Sequence, residues 1–168
     1  MSLYTADLCD TYADRIQVFP NRYHAYGKVR HLYGSIVTLR LVRNNAALTE
    51  LLKEPGNGRI IVVDVGAEYY AVVGENLAKL ALENGWGGIF VHGYVRDIHI
   101  TRTLPVGLWA LGTCPRKSFE THPGMLNIPL TIDDITVTPG QYLVADEDGI
   151  VMVDQDTMHA LNEIGAVT

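Results

Sequence analysis

Apolar and polar positions alternate in two rhythms along this chain, and the change of rhythm divides it. Near the N-terminus, Leu8, Cys9 and Tyr12 recur at helical spacing, with Thr5 placed to cap a short helix and Asp7 near its positive end. Gly34 to Leu41 alternates and is β-branched, as a half-buried strand requires. Asn45 to Lys53 returns to helical spacing with Leu48, Leu51 and Leu52 inward, and Pro55-Gly-Asn-Gly58 stops it. Arg59 to Val65 is a continuous apolar run, the pattern of a strand covered on both faces. Gly74 to Asn84 reads as a helix carrying Leu77, Leu80 and Ala81, with Gly85 placed as its C-cap. Gly88 to His92 is the next apolar strand. Strand, helix, strand makes a central βαβ unit, and such crossovers are right-handed.

Beyond residue 105 the rhythm shortens. Val106–Leu111, Leu126–Ile132, Ile135–Thr138, Gln141–Ala145 and Gly149–Val153 are brief β runs divided by Pro and Gly, and Asp156 to Ile164 reads as a closing helix. Asp146-Glu-Asp-Gly149 has the composition of a hairpin turn. It lacks the ligand spacing and terminal glutamate of a calcium loop. The fold class expected is α/β in a single domain spanning residues 1–168.

Composition narrows the function classes. A formal net charge of −6 gives non-specific nucleic-acid binding no electrostatic help, and no basic cluster offsets it. No apolar stretch is long enough to span a bilayer, and the N-terminus has neither the basic nor the apolar region of a secretory leader. A soluble cytoplasmic protein without membrane or direct nucleic-acid partners is expected. Cys9 and Cys114 stand far apart without CxxC spacing, which suits free thiols.

The candidate chemistry sits after the strands. Arg96 and Asp97 follow the Gly88–His92 run and Gly93, where open α/β folds place their ligand sites. Gly74, Glu75, Asn76 and Leu77 would open the central helix with unpaired N–H groups, a ready carboxylate or phosphate site. In a βαβ unit both loops open on one side of the sheet. An anchored carboxylate, the fixed cation Arg96 and a metal on Asp97 would then suit an enolate. One carboxylate plus waters points to Mg²⁺ or Mn²⁺. GxSxG, HExxH, GxGxxG and GxxxxGK[ST] are all absent. His92, in an apolar strand, reads as a core histidine, and His99 is worth watching because it lies close to Asp97.

In order, Asp7-Leu-Cys-Asp10, Gly58-Arg-Ile-Ile-Val-Val-Asp64, Gly74-Glu-Asn-Leu-Ala78, Gly85-Trp-Gly-Gly88, Gly93-Tyr-Val-Arg-Asp97, Pro139-Gly140 and Ala145-Asp-Glu-Asp-Gly149 resemble the RraA-like family. That family contains class II pyruvate aldolases and the regulator of ribonuclease E activity, and the resemblance runs from about Thr5 to Val153. It implies a layered β/β/α swivelling-domain fold in a homotrimer with sites near subunit boundaries. For the aldolase branch it implies that Gly74–Leu77 bind the substrate carboxylate through their backbone. Arg96 then contacts the keto acid and its enolate, and Asp97 holds a divalent metal. The implied reaction is cleavage of 4-hydroxy-4-methyl-2-oxoglutarate to pyruvate, with oxaloacetate decarboxylation from the same enolate. The alternative is a non-catalytic regulator that binds and inhibits ribonuclease E. Asp97, which that branch need not keep, favours catalysis. Gln141 stands where the family commonly has an acidic residue, and a long C-terminal extension able to reach a neighbour's site is not expected.

Overall fold

The computed structural model describes residues 3–163. In chain order the elements are α1 (Thr5–Tyr12), a 3-10 turn, β1 (Ile16–Val18), β2 (His24–Ala25), β3 (Leu32–Arg40), α2 (Ala46–Leu52), β4 (Ile60–Asp64), β5 (Ala71–Val73) and α3 (Glu75–Glu83). Then follow β6 (Gly88–Val95), α4 (Ile98–Thr101), β7 (Gly107–Thr113), β8 (Met125–Leu126), β9 (Leu130–Ile132), β10 (Ile135–Val137), β11 (Tyr142–Ala145), β12 (Ile150–Val153) and α5 (Gln155–Glu163). Ile164, the expected end of the last helix, lies outside the described residues.

One mixed sheet runs β1-β12-β11-β3-β4-β6-β7-β2, with β5 on the end of β6 and β8 on β3. Its centre, β3-β4-β6-β7, is parallel, and its flanks are antiparallel. The uninterrupted apolar run of β4 has a direct cause. Ile61 and Val63 pack toward Leu48, Leu51 and Leu52 of α2 and Leu77, Ala78 and Ala81 of α3. Ile60 and Val62 face the other way, onto Phe90 and the separate β9–β10 hairpin through Leu130, Ile132, Ile135 and Val137. Helices, sheet and hairpin are therefore three layers, the β/β/α arrangement expected. A smaller cluster joins Leu8 of α1 and Met158 and Leu161 of α5 to Val144, Val151 and Val153.

Local expectations were corrected in two places. Thr5 does not cap α1 but lies in its first turn. Its N–H and hydroxyl both donate to Asp146, at 2.7 Å each, so the cap comes from the far end of the chain. Gly93 is not a loop residue, because β6 continues to Val95. It can do so because β5, a strand too short to show a period, pairs with its last residues (Ala71 with Tyr94, Val73 with Val95). Asp146 to Gly149 is the turn expected, closed by Asp146 N–H to Gly149 C=O at 3.0 Å. Among the described residues no helix is long and apolar enough to cross a membrane.

Candidate active site at the mouth of the βαβ unit

β4 and β6 run parallel, so their carboxyl ends share one side of the sheet. β5 adds beside the end of β6, and the chain turns at Gly74 into α3. Gly74 is the N-cap with extended backbone, and its C=O accepts the first intrahelical bond, from Ala78 N–H at 3.1 Å. The N–H groups of the first turn therefore point out of the helix end with the positive pole behind them. Arg96 is held by its own N–H, which donates to Val73 C=O at 2.9 Å, so it extends the strand ladder by one residue. Asp97 then breaks the strand. It adopts a left-handed conformation (φ 60°, ψ 36°), one that Asp tolerates better than most residues. Its C=O starts α4 by accepting from Ile100 and Thr101.

That turn aims the Asp97 carboxylate back at α3. Oδ2 accepts the Glu75 N–H at 3.1 Å and lies 3.6 Å from Arg96 Nε. The side chains of Arg96 and Asp97 are about one-third exposed, at 35% and 33%, so both can meet a ligand. The Glu75 carboxylate turns away, pairing with Lys79 along the helix at 2.9 Å, so its share in the site is its main-chain N–H. Leu77 is buried, and both it and Asn76 line the opening. All the expected residues, Gly74, Glu75, Asn76, Leu77, Arg96 and Asp97, thus converge on one junction.

The cleft beside that junction has a volume of about 240 Å³. Sequence reasoning missed three of the residues that line it: Asn45, Thr49 and Lys117. Asn45 precedes α2 and donates to Val72 C=O at 2.9 Å. Lys117 is brought in by a parallel bridge to Ala71. No local pattern marks them: Asn45 and Thr49 reach the cleft from the segment that opens α2, and Lys117 through its bridge to β5. Gly66, which follows the Arg59–Val65 run, does not line the cleft. Its N–H closes on Asp64 at 2.7 Å, and the neighbouring Val65 and Ala67 N–H groups donate to His92 C=O. His99 is exposed on α4 and does not line the cleft.

His92 is the core histidine expected, 9% exposed. The Tyr23 hydroxyl donates to Asp133 Oδ2 at 2.5 Å, so His92 Nδ1 donates to the Tyr23 oxygen at 2.8 Å. Burial lowers the pKa of His92, outweighing the opposing pull of Asp64 and Asp133, and holds the ring neutral. Burial also pushes the Tyr23 hydroxyl well above its usual range.

A divalent ion tests the donor set. Among the described residues no three His, Cys, Asp or Glu side chains gather as a closed metal cage. One hard carboxylate on an open cleft instead fits an ion that keeps several waters, the habit of Mg²⁺.

The aldolase/RraA model of the RraA-like family matches residues 5–152. The chain belongs to the RraA-like family. Among similar family members, a Laribacter hongkongensis protein provisionally named 4-hydroxy-4-methyl-2-oxoglutarate aldolase is 42% identical over 152 residues, 90% of this chain and 96% of the relative. A 4-hydroxy-4-methyl-2-oxoglutarate aldolase of Thermus thermophilus is 38% identical, covering 92% and 94%. Two solved RraA-like structures superpose over nearly the whole chain. The RNA-processing inhibitor RraA from Thermus has a TM-score of 0.86 at 38% identity, covering 91% of this chain and 93% of that one. A Geobacillus kaustophilus protein titled S-adenosylmethionine:2-dimethylmenaquinone methyltransferase has a TM-score of 0.89 at 34% identity, covering 94% and 98%.

Proposed function

We propose that this chain is a divalent-metal-dependent (class II) aldolase. It cleaves 4-hydroxy-4-methyl-2-oxoglutarate, or a related 4-hydroxy-2-oxo acid, to pyruvate, and it decarboxylates oxaloacetate through the same enolate. The observation that carries the reading is the junction of Arg96, Asp97 and the first turn of α3 in one cleft. A volume below the roughly 300–1,000 Å³ of drug-sized pockets suits a small keto acid. The named activity of the Thermus aldolase agrees with it.

In this mechanism the outward N–H groups of the Asn76–Leu77 turn hold the substrate's 1-carboxylate. Arg96 faces the 2-keto oxygen. The C3–C4 bond breaks, and its electron pair becomes the enolate of one pyruvate. The C4 hydroxyl loses its proton and becomes the carbonyl of the second pyruvate, and a proton returns to C3. Arg96 stabilises charge that exists fully only on the enolate, so its interaction is stronger in the transition state than in the bound substrate. Asp97 would hold Mg²⁺ or Mn²⁺, which would supply Lewis-acid chemistry to the keto acid. In oxaloacetate the C3–C4 bond breaks likewise, C4 leaving as carbon dioxide and the electron pair becoming the same pyruvate enolate. The same reading places a single domain of residues 1–168 in a cytoplasmic homotrimer.

Pyruvate release from 4-hydroxy-4-methyl-2-oxoglutarate by the purified protein tests it. Release with Mg²⁺, its loss in excess EDTA and its return with Mn²⁺ are the expected results. No release from that substrate or from oxaloacetate would favour the second reading, a regulator that binds ribonuclease E. The RNA-processing inhibitor title of the Thermus structure supports that reading, and its test is capture of ribonuclease E.

A further inference from the structure

We propose that Gly74 is a positioning residue, and that its missing side chain is what sets the metal carboxylate and the arginine in place. This inference rests on the aldolase reading for its functional consequence. Glycine is not needed at position 74 for backbone reasons. Its φ of −128° and ψ of −165° are extended values open to any residue. The need is for space. A Cβ there would lie 2.5 Å from Asp97 Oδ2, 3.2 Å from Arg96 Cγ and 3.3 Å from Arg96 Nε. Asp97 and Arg96 therefore lie in the volume that a side chain at position 74 would fill.

What that volume achieves follows from the hydrogen bonds. Asp97 Oδ2 reaches the Glu75 N–H, and Arg96 Nε lies 3.6 Å from the same oxygen. With Oδ2 held on the helix end, Oδ1, which accepts no hydrogen bond from the described residues, is the oxygen left to a cation. A carboxylate whose second oxygen is pinned presents the first in a fixed direction. Groups that orient a metal ligand in this way typically change metal affinity about 10–100-fold when removed. The one atom a Cβ would strike outright is the end of the Asp97 side chain, and Arg96 Cγ and Nε, also side-chain atoms, need give by only a few tenths of an ångström. The substitution Gly74→Ala therefore costs the fold little: Asp97 swings away, and the helix stays.

The test compares wild-type protein with Gly74→Ala and with Gly149→Ala, a control in which the added Cβ meets nothing within 4 Å. Binding of Mn²⁺ is followed by electron paramagnetic resonance of the free ion, and amide exchange is followed at Glu75 without added metal. Gly74→Ala should weaken Mn²⁺ binding about tenfold or more and speed Glu75 exchange, with the thermal midpoint and the control unchanged. Mn²⁺ affinity within about twofold of wild type overturns the proposal. If wild-type protein takes up no Mn²⁺, the metal in the aldolase reading is what fails. Glu75 exchange then decides the cradle by itself, and an unchanged rate in Gly74→Ala overturns it.

Discussion

A left-handed aspartate after a parallel strand is a costly residue to keep, and at position 97 the cost has a visible return. The φ of 60° turns the carboxylate from the strand direction to the N-terminus of α3, beside Arg96. The charge type at position 96 is not sufficient by itself. A guanidinium meets planar oxygen pairs through a rigid fork, whereas an ammonium is a mobile point charge. Arg96→Lys should therefore lower kcat for pyruvate release by about 10²-fold, the scale of a lost transition-state donor, with little change in stability. Asp97→Ala should abolish the metal-dependent rate altogether; activity in Asp97→Ala that still responds to EDTA would sink the assignment. Both residues were legible in the chain as a cation and a carboxylate after an apolar run. The conformation that joins them to α3 was not, because nothing local dictates a left-handed aspartate.

At the scale of elements, short strands and helix ends are set by partners distant in sequence. Asp146 shows this most directly. The chain pattern marks it as one residue of a polar turn. In the fold its buried carboxylate accepts from Thr5 N–H and hydroxyl and from Asp148 and Gly149 N–H, joining α1 to the β11–β12 turn. Asp146→Ala leaves those donors without their charged acceptor and removes the cap of α1. The expected loss is about 2–4 kcal/mol, a fall in thermal midpoint on the order of 10 °C by calorimetry. Asp146 does not line the cleft, so the Mn²⁺ binding that the aldolase reading assigns there should persist below the new midpoint. The long elements were legible for the opposite reason. α2, α3 and β3 each carry enough apolar residues to show their own period and β4 shows an unbroken apolar run, whereas β5 has three residues and takes its identity from β6.

The whole molecule is held as three layers, and one polar cluster fastens the hairpin to the sheet. Asp133, in the turn of the β9–β10 hairpin, accepts a hydrogen bond from Tyr23, whose oxygen accepts one from His92 of the central sheet. Arg22 pairs with the same carboxylate. The folded state keeps His92 neutral, its pKa lowered by burial, while the unfolded chain protonates it near the ordinary value of about 6.5. As pH falls through that value the unfolded state takes up the proton first, so stability falls with it. Burial alone would raise the Asp133 pKa, but hydrogen bonds from Tyr23 and Arg22 outweigh it and depress the value. Its contribution is lost in the same direction at lower pH. Thermal midpoints measured from about pH 7.5 down to about 5.5 should decline, and His92→Gln should flatten the decline. An equal slope in the variant would remove His92 from the account.

By itself the sequence determined the alternation of elements, the doubly covered strand at its centre and the cation–carboxylate pair after β6. These are properties of short windows, where side-chain period and residue type carry the information. The tertiary structure decided what lies opposite each of them. It placed β5 against β6, Asp146 beneath α1, Lys117 and Asn45 along the cleft, and Asp97 in the space left by Gly74. Each of these is a contact between segments remote in the chain, fixed by sheet register and layer packing rather than by any local preference.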